Sequence, residues 1–587
     1  MTPRRVAALG TRVATIERRG RFTVAEPLFE RGPQVALNRR WGQLGPGDIA
    51  LVDFGPAGAR PLRALGSEER ASDVVAALLW DRGVRRGFPS TFDADAQEAA
   101  ASAREASHSR RDLRSLPTFT VDPATARDFD DAVSAEQEGD GVRLWIHIAD
   151  VAAHVRPGSS LDSEALRRGT STYVPGTVEP MLPAVLSDQA CSLAPGADRL
   201  AVTTEIVLRG DGDQCSASFY RSRIRSDARL AYDQLDEIFA GRRRSPAGIE
   251  EPLALARRAA AALADRRPVG SLEIESFEPE FSFDADGAVT GARSVPQTEA
   301  HKLIEHLMIL TNERVAETCE RRRIPTLYRV HEQPQPERTA RLVEQLAALD
   351  VPTPPLPEVL SPSEAGDLTG EISRLVVREA ERRGHGRDAY TSLVLRSLKQ
   401  AYYSDRNLGH AGLGSPAYCH FTSPIRRYPD LVAHRALLFA VGTGEREPEP
   451  RAVREAAGRS SEREREAIEI ERDADRVCAA FLLGRELFES GWERSFEGEV
   501  SGVIGAGAFI RFGGELGDVY EGFLPARLLR GERFFLNETE TALVGGRSGR
   551  SLRLGDPISV AVRSVEAPRG RVDLLPVEMR GSDGKAA

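Results

Sequence analysis

Four aspartates stand close together early in the chain, and their spacing is the strongest chemical signal in the sequence. They lie in the segment LPTFTVDPATARDFDDAVSAE, at residues 116–136. The four carboxylates belong to Asp122, Asp128, Asp130 and Asp131. Carboxylates this close repel one another and are costly to desolvate unless a positive charge lies among them. Because Mg²⁺ and Mn²⁺ prefer carboxylate oxygen and water as ligands, the cluster predicts a site for such a cation.

Two apolar runs flank the acidic cluster and favour a buried site over a solvated turn. An Asp-rich loop is often only a hydrated turn, and the DFDD pattern by itself does not distinguish such a turn from a buried cation site. Here Thr118–Val121 precedes the cluster and Val142–Ile148 follows it, whereas a solvated loop needs no burial on either side. In this arrangement Asp122 and Asp131 would reach in from the two ends of the loop. Calcium is another candidate, but the EF-hand spacing is absent.

The composition is that of a large globular protein. The chain has 587 residues, of which 41% are hydrophobic and 28% are charged, so we expect several domains. No apolar run is long enough to span a bilayer, and the N-terminus lacks the hydrophobic stretch of a secretory signal. The five cysteines are scattered and odd in number, which argues against a disulfide framework and a zinc site. We therefore expect a cytoplasmic protein without membrane association.

The net charge is unusual for a protein that binds nucleic acid. It is −9 at pH 7, whereas phosphate neutralisation normally requires a basic surface. Net charge does not describe a channel, however, and the arginines occur in local runs. These are Arg110-Arg111, Arg242–Arg244, Arg321–Arg323 and Arg426-Arg427. Most such runs are solvated helix faces, and we assign a site role only to the last.

Changes in pattern along the chain predict a multidomain α+β protein. Short β-like runs and Gly/Pro turns over residues 1–65 are typical of a small OB or cold-shock-like barrel. The later segments are a helical linker at 66–112, a large α+β domain at 113–445, a helical connector at 446–494, a second β-barrel at 495–577 and a disordered tail at 578–587.

The C-terminal segment resembles an S1 domain, which is a five-stranded OB-fold. The similar runs are Phe496–Val503, Gly507–Ile510, Leu554–Asp556 and Val560–Val562. Such barrels present aromatic side chains on which single-stranded nucleic acid stacks, and Phe509 is the candidate here. The alternative is that Phe509 belongs to the barrel core. In the N-terminal barrel, which resembles a cold-shock domain, Phe22 is the best candidate for stacking.

The central domain resembles the RNB family, which includes the bacterial exoribonucleases RNase II and RNase R. The four aspartates are similar to the metal-binding motif of that family. Further similar blocks follow at Trp145–Val151, Leu161-Asp162, Arg168–Tyr173, Met181–Pro183, Cys191–Leu193 and His420–Asp430. With the flanking OB domains included, the resemblance covers essentially the whole chain.

The resemblance implies roles for the acidic cluster and for one arginine. The four aspartates would hold Mg²⁺ at the scissile phosphate, with Mn²⁺ as an alternative and one or two ions in the site. Loss of Asp130 would damage the chemistry most. Arg426 would contact the reacting phosphate, because a fixed guanidinium matches phosphate geometry. The alternative for Arg426 is a structural ion pair with a core carboxylate.

The same resemblance implies three residues that bind the RNA end. Tyr173 would stack on the 3′-terminal base, unless it is a packed core tyrosine. Tyr232 and Glu305 would recognise the ribose, whose 2′-hydroxyl distinguishes RNA from DNA. Glu305 lies in a helical pattern, where a single acid is most often only solvated.

The chain departs from the family pattern in several places. His306 stands where a second acid is expected, and a second stacking aromatic would fall near Ile274 or Phe277. We find one OB-like unit before the central domain rather than the two usual for RNase R, and the sequence shows no basic tail. These departures leave the digestion of structured RNA open.

The sequence therefore predicts an Mg²⁺-dependent 3′→5′ exoribonuclease. It would hydrolyse single-stranded RNA processively to nucleoside 5′-monophosphates, in RNA decay and processing, and we expect a monomer. Two alternatives are an RNA-binding regulator on a degenerate scaffold, and an endonuclease or narrow processing enzyme. Loss of an aspartate or of Arg426 would favour the regulator, and all are present.

Overall fold

The computed structural model of the chain describes residues 10–37, 44–55, 58–105, 110–268, 271–272, 278–514, 517–529 and 531–578. The first unit is an antiparallel sheet of five strands. These are β1 (Gly10–Arg19), β2 (Phe22–Pro27), β3 (Val35–Ala36), β4 (Asp48–Gly55) and β5 (Gly58–Ser67), in the order β3-β2-β1-β4-β5. A bridge between Leu37 and Ala59 brings the two edges of the sheet together. Alternating side chains such as Ile16, Val52 and Phe54 fill its interior.

Two helices, α1 (Ala71–Asp81) and α2 (Ser90–Glu105), follow this sheet. Val74, Leu78 and their neighbours form the buried face of α1, as the helical period requires. The boundaries differ from those expected at 65 and 112. Strand β5 continues to Ser67, and β6 (Arg111–Asp112) already pairs with the central sheet. Backbone pairing, which local composition does not reveal, accounts for both differences.

A mixed sheet of seven strands forms the centre of the molecule. Its strands are β6, β7 (Phe119–Asp122), β8 (Asp131–Glu138), β9 (Gly141–Ala149), β12 (Asp198–Leu208), β13 (Gln214–Arg225) and β14 (Ala228–Ala231). Their order is β14-β7-β8-β9-β12-β13-β6. The inserted elements are α3 (Ser160–Arg168) and the hairpin of β10 (Thr172–Val174) and β11 (Thr177–Glu179). Strand β9 is buried nearly throughout and the first three residues of β7 are buried, which explains the apolar runs that flank the acidic cluster.

Helices and short strand pairs complete the central domain. They are α4 (Tyr232–Phe239), α5 (Glu250–Asp265), β15 (Glu278–Phe283), β16 (Val289–Val295), α6 (Glu299–Arg322), β17 (Tyr328–Val330), α7 (Pro336–Ala347), α8 (Pro362–Arg383), α9 (Arg387–Ser397), β18 (Tyr402–Ser404) and α10 (Tyr428–Ala440). Leu303, Leu307 and Leu310 of α6 belong to the same hydrophobic core as the sheet. The long helix α6 therefore packs into the same core as the strands that carry the aspartates.

A helix of 41 residues, α11 (Pro450–Ser490), leads to the C-terminal domain. That domain is a closed barrel of β19 (Ser495–Ile504), β20 (Gly507–Gly514), β21 (Gly517–Pro525), β25 (Pro557–Glu566) and β26 (Arg571–Glu578). A small sheet of β22 (Phe534–Leu536), β23 (Ala542–Gly545) and β24 (Ser551–Arg553) is inserted between β21 and β25. The multidomain α+β architecture with a five-stranded C-terminal barrel is confirmed. Of the tail expected at 578–587, all but Glu578 lies outside the described residues.

The four cysteines that the structure describes are buried free thiols. Over the same described ranges, no helix combines the length and the apolarity needed to cross a membrane.

Candidate active site

Eight of the ten residues singled out from the sequence line one cavity of about 460 Å³ in the central domain. They are Asp122, Asp128, Asp130, Asp131, Tyr173, Tyr232, Glu305 and Arg426. The cavity therefore brings together side chains from the sheet, from the β10–β11 hairpin, from α4 and α6, and from the loop before α10.

Adjacent strands explain the convergence of the four aspartates. Asp122 is the last residue of β7 and Asp131 the first residue of β8, and these strands are neighbours in the sheet. The loop between them is held from outside, since the Ser192 hydroxyl donates to the Arg127 carbonyl at 2.7 Å. Asp122 and Asp131 thus reach in from the two ends of the loop, as the sequence predicts.

The carboxylates face the cavity with oxygens that have no partner. Asp130 Oδ1 accepts a hydrogen bond from the Ile425 backbone N–H at 2.8 Å. Its Oδ2 lies 3.4 Å from Arg426 Nε but accepts no hydrogen bond. The Oδ2 atoms of Asp122 and Asp131 are likewise buried and accept none within the described part of the chain. Buried polar atoms are rarely left in this state, so the arrangement fits a positively charged ligand.

The raised pKa values of the clustered aspartates also fit a positively charged ligand. Burial, with the nearby carboxylates of Asp131 and Asp128, raises the pKa of Asp122 to about 8. Burial also raises the pKa of Asp131 to about 6 and moves that of Asp130 well above its ordinary range. Several carboxylates that are hard to ionise together form a site that a divalent cation would stabilise.

Among the described residues, no group of three or more His, Cys, Asp or Glu side chains is arranged as a preformed metal site. The four aspartates line the cavity together without forming such a cage. Mg²⁺ commonly keeps several waters and takes one or two carboxylates together with substrate phosphate. The four aspartates therefore fit Mg²⁺ or Mn²⁺ that is completed by water and substrate.

A short turn before α10 carries Arg426. Asp430 Oδ1 accepts hydrogen bonds from the Ser423 backbone N–H at 2.8 Å and from the Arg427 guanidinium at 2.7 Å. These bonds close the turn and leave the Arg426 side chain nearly half exposed toward the cavity. The ion pair considered as an alternative for Arg426 does exist. Its carboxylate, however, is that of Asp130, within the cavity itself.

Tyr173 is held over the acidic cluster from two sides. Its hydroxyl donates to Asp128 Oδ2 at 3.1 Å, and its backbone N–H donates to Glu471 of α11 at 2.8 Å. Gly169, at the end of α3, has φ +71° and no space for a Cβ beside Arg463, so the turn from α3 toward the hairpin requires glycine at this position. With 38% of its surface exposed, Tyr173 is not a packed core tyrosine.

Tyr232 reaches the cavity through strand register. Strand β14 pairs in parallel with β7, with Ala231 opposite Asp122, and Tyr232 follows at the start of α4. Its ring stacks on His301 of α6, with centroids 3.9 Å apart. Glu305 lies one turn further along α6, where its carboxylate accepts a hydrogen bond from Gln297 at 2.5 Å.

Sequence reasoning missed part of the cavity lining. The additional residues include Ile304, Met308, Ile309, Asn312, Leu413 and Tyr418. Met308, Ile309 and Asn312 follow Glu305 at helical spacing, and this period is a signal that could have found them. Leu413 and Tyr418 carry no comparable signal, because only tertiary packing brings them to the cavity. Thr422, Ser423 and Arg427 also line the cavity, and they lie in the His420–Asp430 block that carries the family resemblance.

The two aromatic residues proposed for the barrels lie away from this cavity. Phe22, at the turn between β1 and β2, is 54% exposed and has the Arg21 guanidinium 5.1 Å from its ring. Phe509 is 36% exposed, so it is not part of the barrel core, and it lines a second cavity of about 730 Å³ between the two β-domains and α11. Ile274 and Phe277 lie outside the described residues.

Comparison with known proteins was made on sequence and on structure. The sequence profile of the RNB domain matches residues 110–442. Ribonuclease R of Aquifex aeolicus is 34% identical over 533 residues, covering 89% of this chain and 73% of the relative. Ribonuclease R of Escherichia coli is 35% identical over 515 residues, covering 84% of this chain and 60% of the relative. The structure of Mycoplasma genitalium RNase R in complex with ribose methylated single-stranded RNA superposes with a TM-score of 0.84 at 24% identity, over 97% of this chain and 90% of that one.

Proposed function

The chain belongs to the RNB family, and from this premise we propose that it is a 3′→5′ exoribonuclease that degrades single-stranded RNA processively to nucleoside 5′-monophosphates. The observation that carries the proposal is the convergence of four aspartates and Arg426 on one cavity. The ribonuclease R relatives are similar over most of this chain, which supports the same activity. RNA decay and processing is the role that suits it.

The reaction is hydrolysis of the terminal phosphodiester. A water oxygen bonds to phosphorus, and the bond from phosphorus to the 3′ oxygen of the preceding nucleotide breaks. That oxygen leaves as a hydroxyl, and the released nucleotide keeps a 5′-phosphate. A divalent cation, when bound, polarises the phosphate and lowers the pKa of the attacking water. Asp122, Asp128, Asp130 and Asp131 are the residues that would hold it.

Arg426 stabilises the charge that develops on the phosphoryl oxygens. The turn closed by Asp430 fixes its backbone before substrate arrives, so little reorganisation is needed during the reaction. Its guanidinium already lies beside Asp130, where the phosphate and the cation would meet. Removal of one such donor typically costs about 10²–10³ in rate.

The remaining residues position the 3′ end of the RNA. Tyr173 offers an exposed ring that any base can stack on, which suits an enzyme with little sequence preference. Tyr232 and Glu305 line the same cavity and would contact the ribose. A strand end that threads into this cavity would reach the aspartates whereas an internal phosphate would not, and contacts to the terminal ribose would select the 3′ end.

A time course with 5′-labelled single-stranded RNA tests the activity. We expect the full-length RNA to give a very short labelled product in Mg²⁺, no product in EDTA, and no cleavage of matching DNA or circular RNA. Cleavage of circular RNA would show an endonuclease. A shift of intact RNA on a native gel without cleavage would show a binding protein and contradict the proposal.

The cation proposal has a test that does not depend on activity. Ligands that bind the folded state raise its stability by mass action, so Mg²⁺ should raise the Tm of the wild-type protein by a few degrees. The increase should be lost in Asp122→Asn and kept in Asp140→Asn, which changes an exposed aspartate in the turn between β8 and β9. An unchanged wild-type Tm in saturating Mg²⁺ would contradict the cation site even if RNA is degraded.

A further inference from the structure

Two rings are stacked at the edge of the catalytic cavity. Tyr232 lines the cavity, and the imidazole of His301 lies against the tyrosine ring with centroids 3.9 Å apart and planes 11° from parallel. Within the described residues, the Tyr232 hydroxyl makes no hydrogen bond to the protein, and it remains available to a substrate.

His301 is itself held at the start of α6. Its Nδ1 lies 2.7 Å from the Thr298 hydroxyl and accepts a hydrogen bond from the Thr298 backbone N–H at 3.3 Å. The adjacent Ala300 N–H donates to Asp236 of α4 at 3.1 Å, which joins the two helices. The imidazole thus cannot turn away without breaking the hydrogen bonds that cap the helix, and it forms a rigid support for the tyrosine ring.

Helix α6 carries both Glu305 and the residue that supports Tyr232. His301 and Glu305 are four residues apart on this helix, so they lie on the same face, one above the other. The same helix therefore places a carboxylate in the cavity and, through the stack, sets where the Tyr232 hydroxyl points.

We propose that His301 is a positioning residue that holds Tyr232 in place to read the ribose of the substrate. This inference rests on the proposed function of the cavity. His301 acts through Tyr232 and does not touch the reacting phosphate. A displaced tyrosine would weaken the preference for ribose over deoxyribose more than it slows hydrolysis itself.

Two substitutions separate this role from helix capping. His301→Phe keeps a ring against Tyr232 but removes the acceptor for the Thr298 N–H. His301→Asn keeps an acceptor oxygen near the place of Nδ1 but removes the ring. If stacking matters, the asparagine variant loses discrimination and the phenylalanine variant retains most of it; if only capping matters, the order is reversed.

The measurement is kcat/KM on two matched oligonucleotides, one all RNA and one with 2′-deoxy sugars at its 3′ end. We expect His301→Asn to lower the RNA preference about tenfold, chiefly through KM for RNA, because small displacements of a positioning group have effects of this order. His301→Phe should stay within about twofold of wild type. Arg321→Ala, an exposed change at the far end of α6, is the matched control. Unfolding curves of each variant show whether the fold is retained.

A double-mutant cycle completes the test. In a Tyr232→Ala background, His301→Asn should have no further effect on RNA preference, because the residue acts through the missing ring. An equal effect in both backgrounds, a loss in the phenylalanine variant alone, or no effect of either substitution would each overturn the proposal. Failure of the wild-type protein to degrade RNA would instead overturn the proposed function, so the two failures are distinguishable.

Discussion

At the scale of a single residue, the two carboxylate oxygens of Asp130 make different contacts. Oδ1 accepts the Ile425 backbone N–H and ties the acidic loop to the turn that carries Arg426. Oδ2 faces Arg426 and the cavity without a hydrogen bond. One oxygen thus maintains the structure, while the other accepts no hydrogen bond and is available for the proposed cation.

This division makes Asp130→Asn informative. The amide keeps an oxygen that accepts the Ile425 N–H, but it removes the charge needed at the cation site. We expect kcat to fall by at least about 10²-fold while the affinity for single-stranded RNA changes little. Rates from single-turnover hydrolysis and affinities from native gels measure the two effects. Asp140→Asn is the control, and normal turnover by Asp130→Asn would contradict the site assignment.

At the scale of an element, the turn before α10 depends on one buried carboxylate. Asp430 Oδ1 joins the Ser423 N–H to the partly buried Arg427 guanidinium. Since α10 begins at Tyr428, the same contact also fixes how the helix leaves the cavity. Arg426 lies between Ser423 and Arg427 in the chain, so these contacts fix the position of its backbone.

Asp430→Ala should therefore act on both stability and catalysis. It leaves Arg427 without its carboxylate. Removing one partner of a fully buried ion pair typically costs about 3–5 kcal/mol, and we expect a smaller loss here because the Arg427 side chain is 22% exposed. We expect a lower denaturation midpoint and a reduced kcat with RNA affinity less affected. Asp405→Ala breaks an ion pair with the exposed Arg454 and should have little effect on either quantity. Equal behaviour of the two variants would show that the turn does not position Arg426.

Strand β20 carries the exposed ring proposed to contact RNA outside the catalytic cavity. Stacking of a base on an aromatic side chain is worth about 1–3 kcal/mol, so Phe509→Ala should weaken binding of single-stranded RNA about 5- to 150-fold. Fluorescence anisotropy with a catalytically inactive background measures this. Phe488→Ala removes a ring that is 86% exposed at the end of α11 and serves as the control. Similar losses from both substitutions would exclude a specific stacking role for Phe509.

At the scale of the whole molecule, Arg569 joins the C-terminal barrel to the N-terminal sheet. It follows strand β25, and its side chain donates to the Leu28 carbonyl at 3.1 Å and to Glu26 at 3.0 Å in the N-terminal sheet. The cavity that contains Phe509 lies at this junction. The contact joins the two β-domains beside the cavity that contains Phe509.

Arg569→Ala should loosen this junction without touching the catalytic cavity. We expect shorter processive runs on long RNA, visible as intermediate lengths on a gel, with unchanged kcat on oligonucleotides too short to reach the barrels. Arg563→Ala, an exposed arginine on β25, is the matched control. A rate loss on the short substrate would show that the effect reaches the active site by another route.

Features that depend only on residues close together in the sequence could be predicted from it. The strands around the acidic cluster and the helix α11 follow from local periodicity. The four aspartates could be grouped because they occupy one short loop. The five-stranded C-terminal barrel was implied by the resemblance to an S1 domain, and a shared site for Tyr173, Glu305 and Arg426 was implied by the resemblance to the RNB family.

Only the tertiary structure decided how these groups meet. Asp130 contacts Ile425 across 295 residues, Tyr173 is held by Glu471, and Tyr232 reaches the cavity because Ala231 pairs with Asp122. The stack of Tyr232 on His301 is also a contact between residues far apart in the sequence. Such contacts close very long loops, and their free energy comes from packing many elements at once rather than from any local pattern. The sequence by itself therefore determined which chemical groups are present and the strands and helices that carry them, while long-range packing decided the geometry of the site.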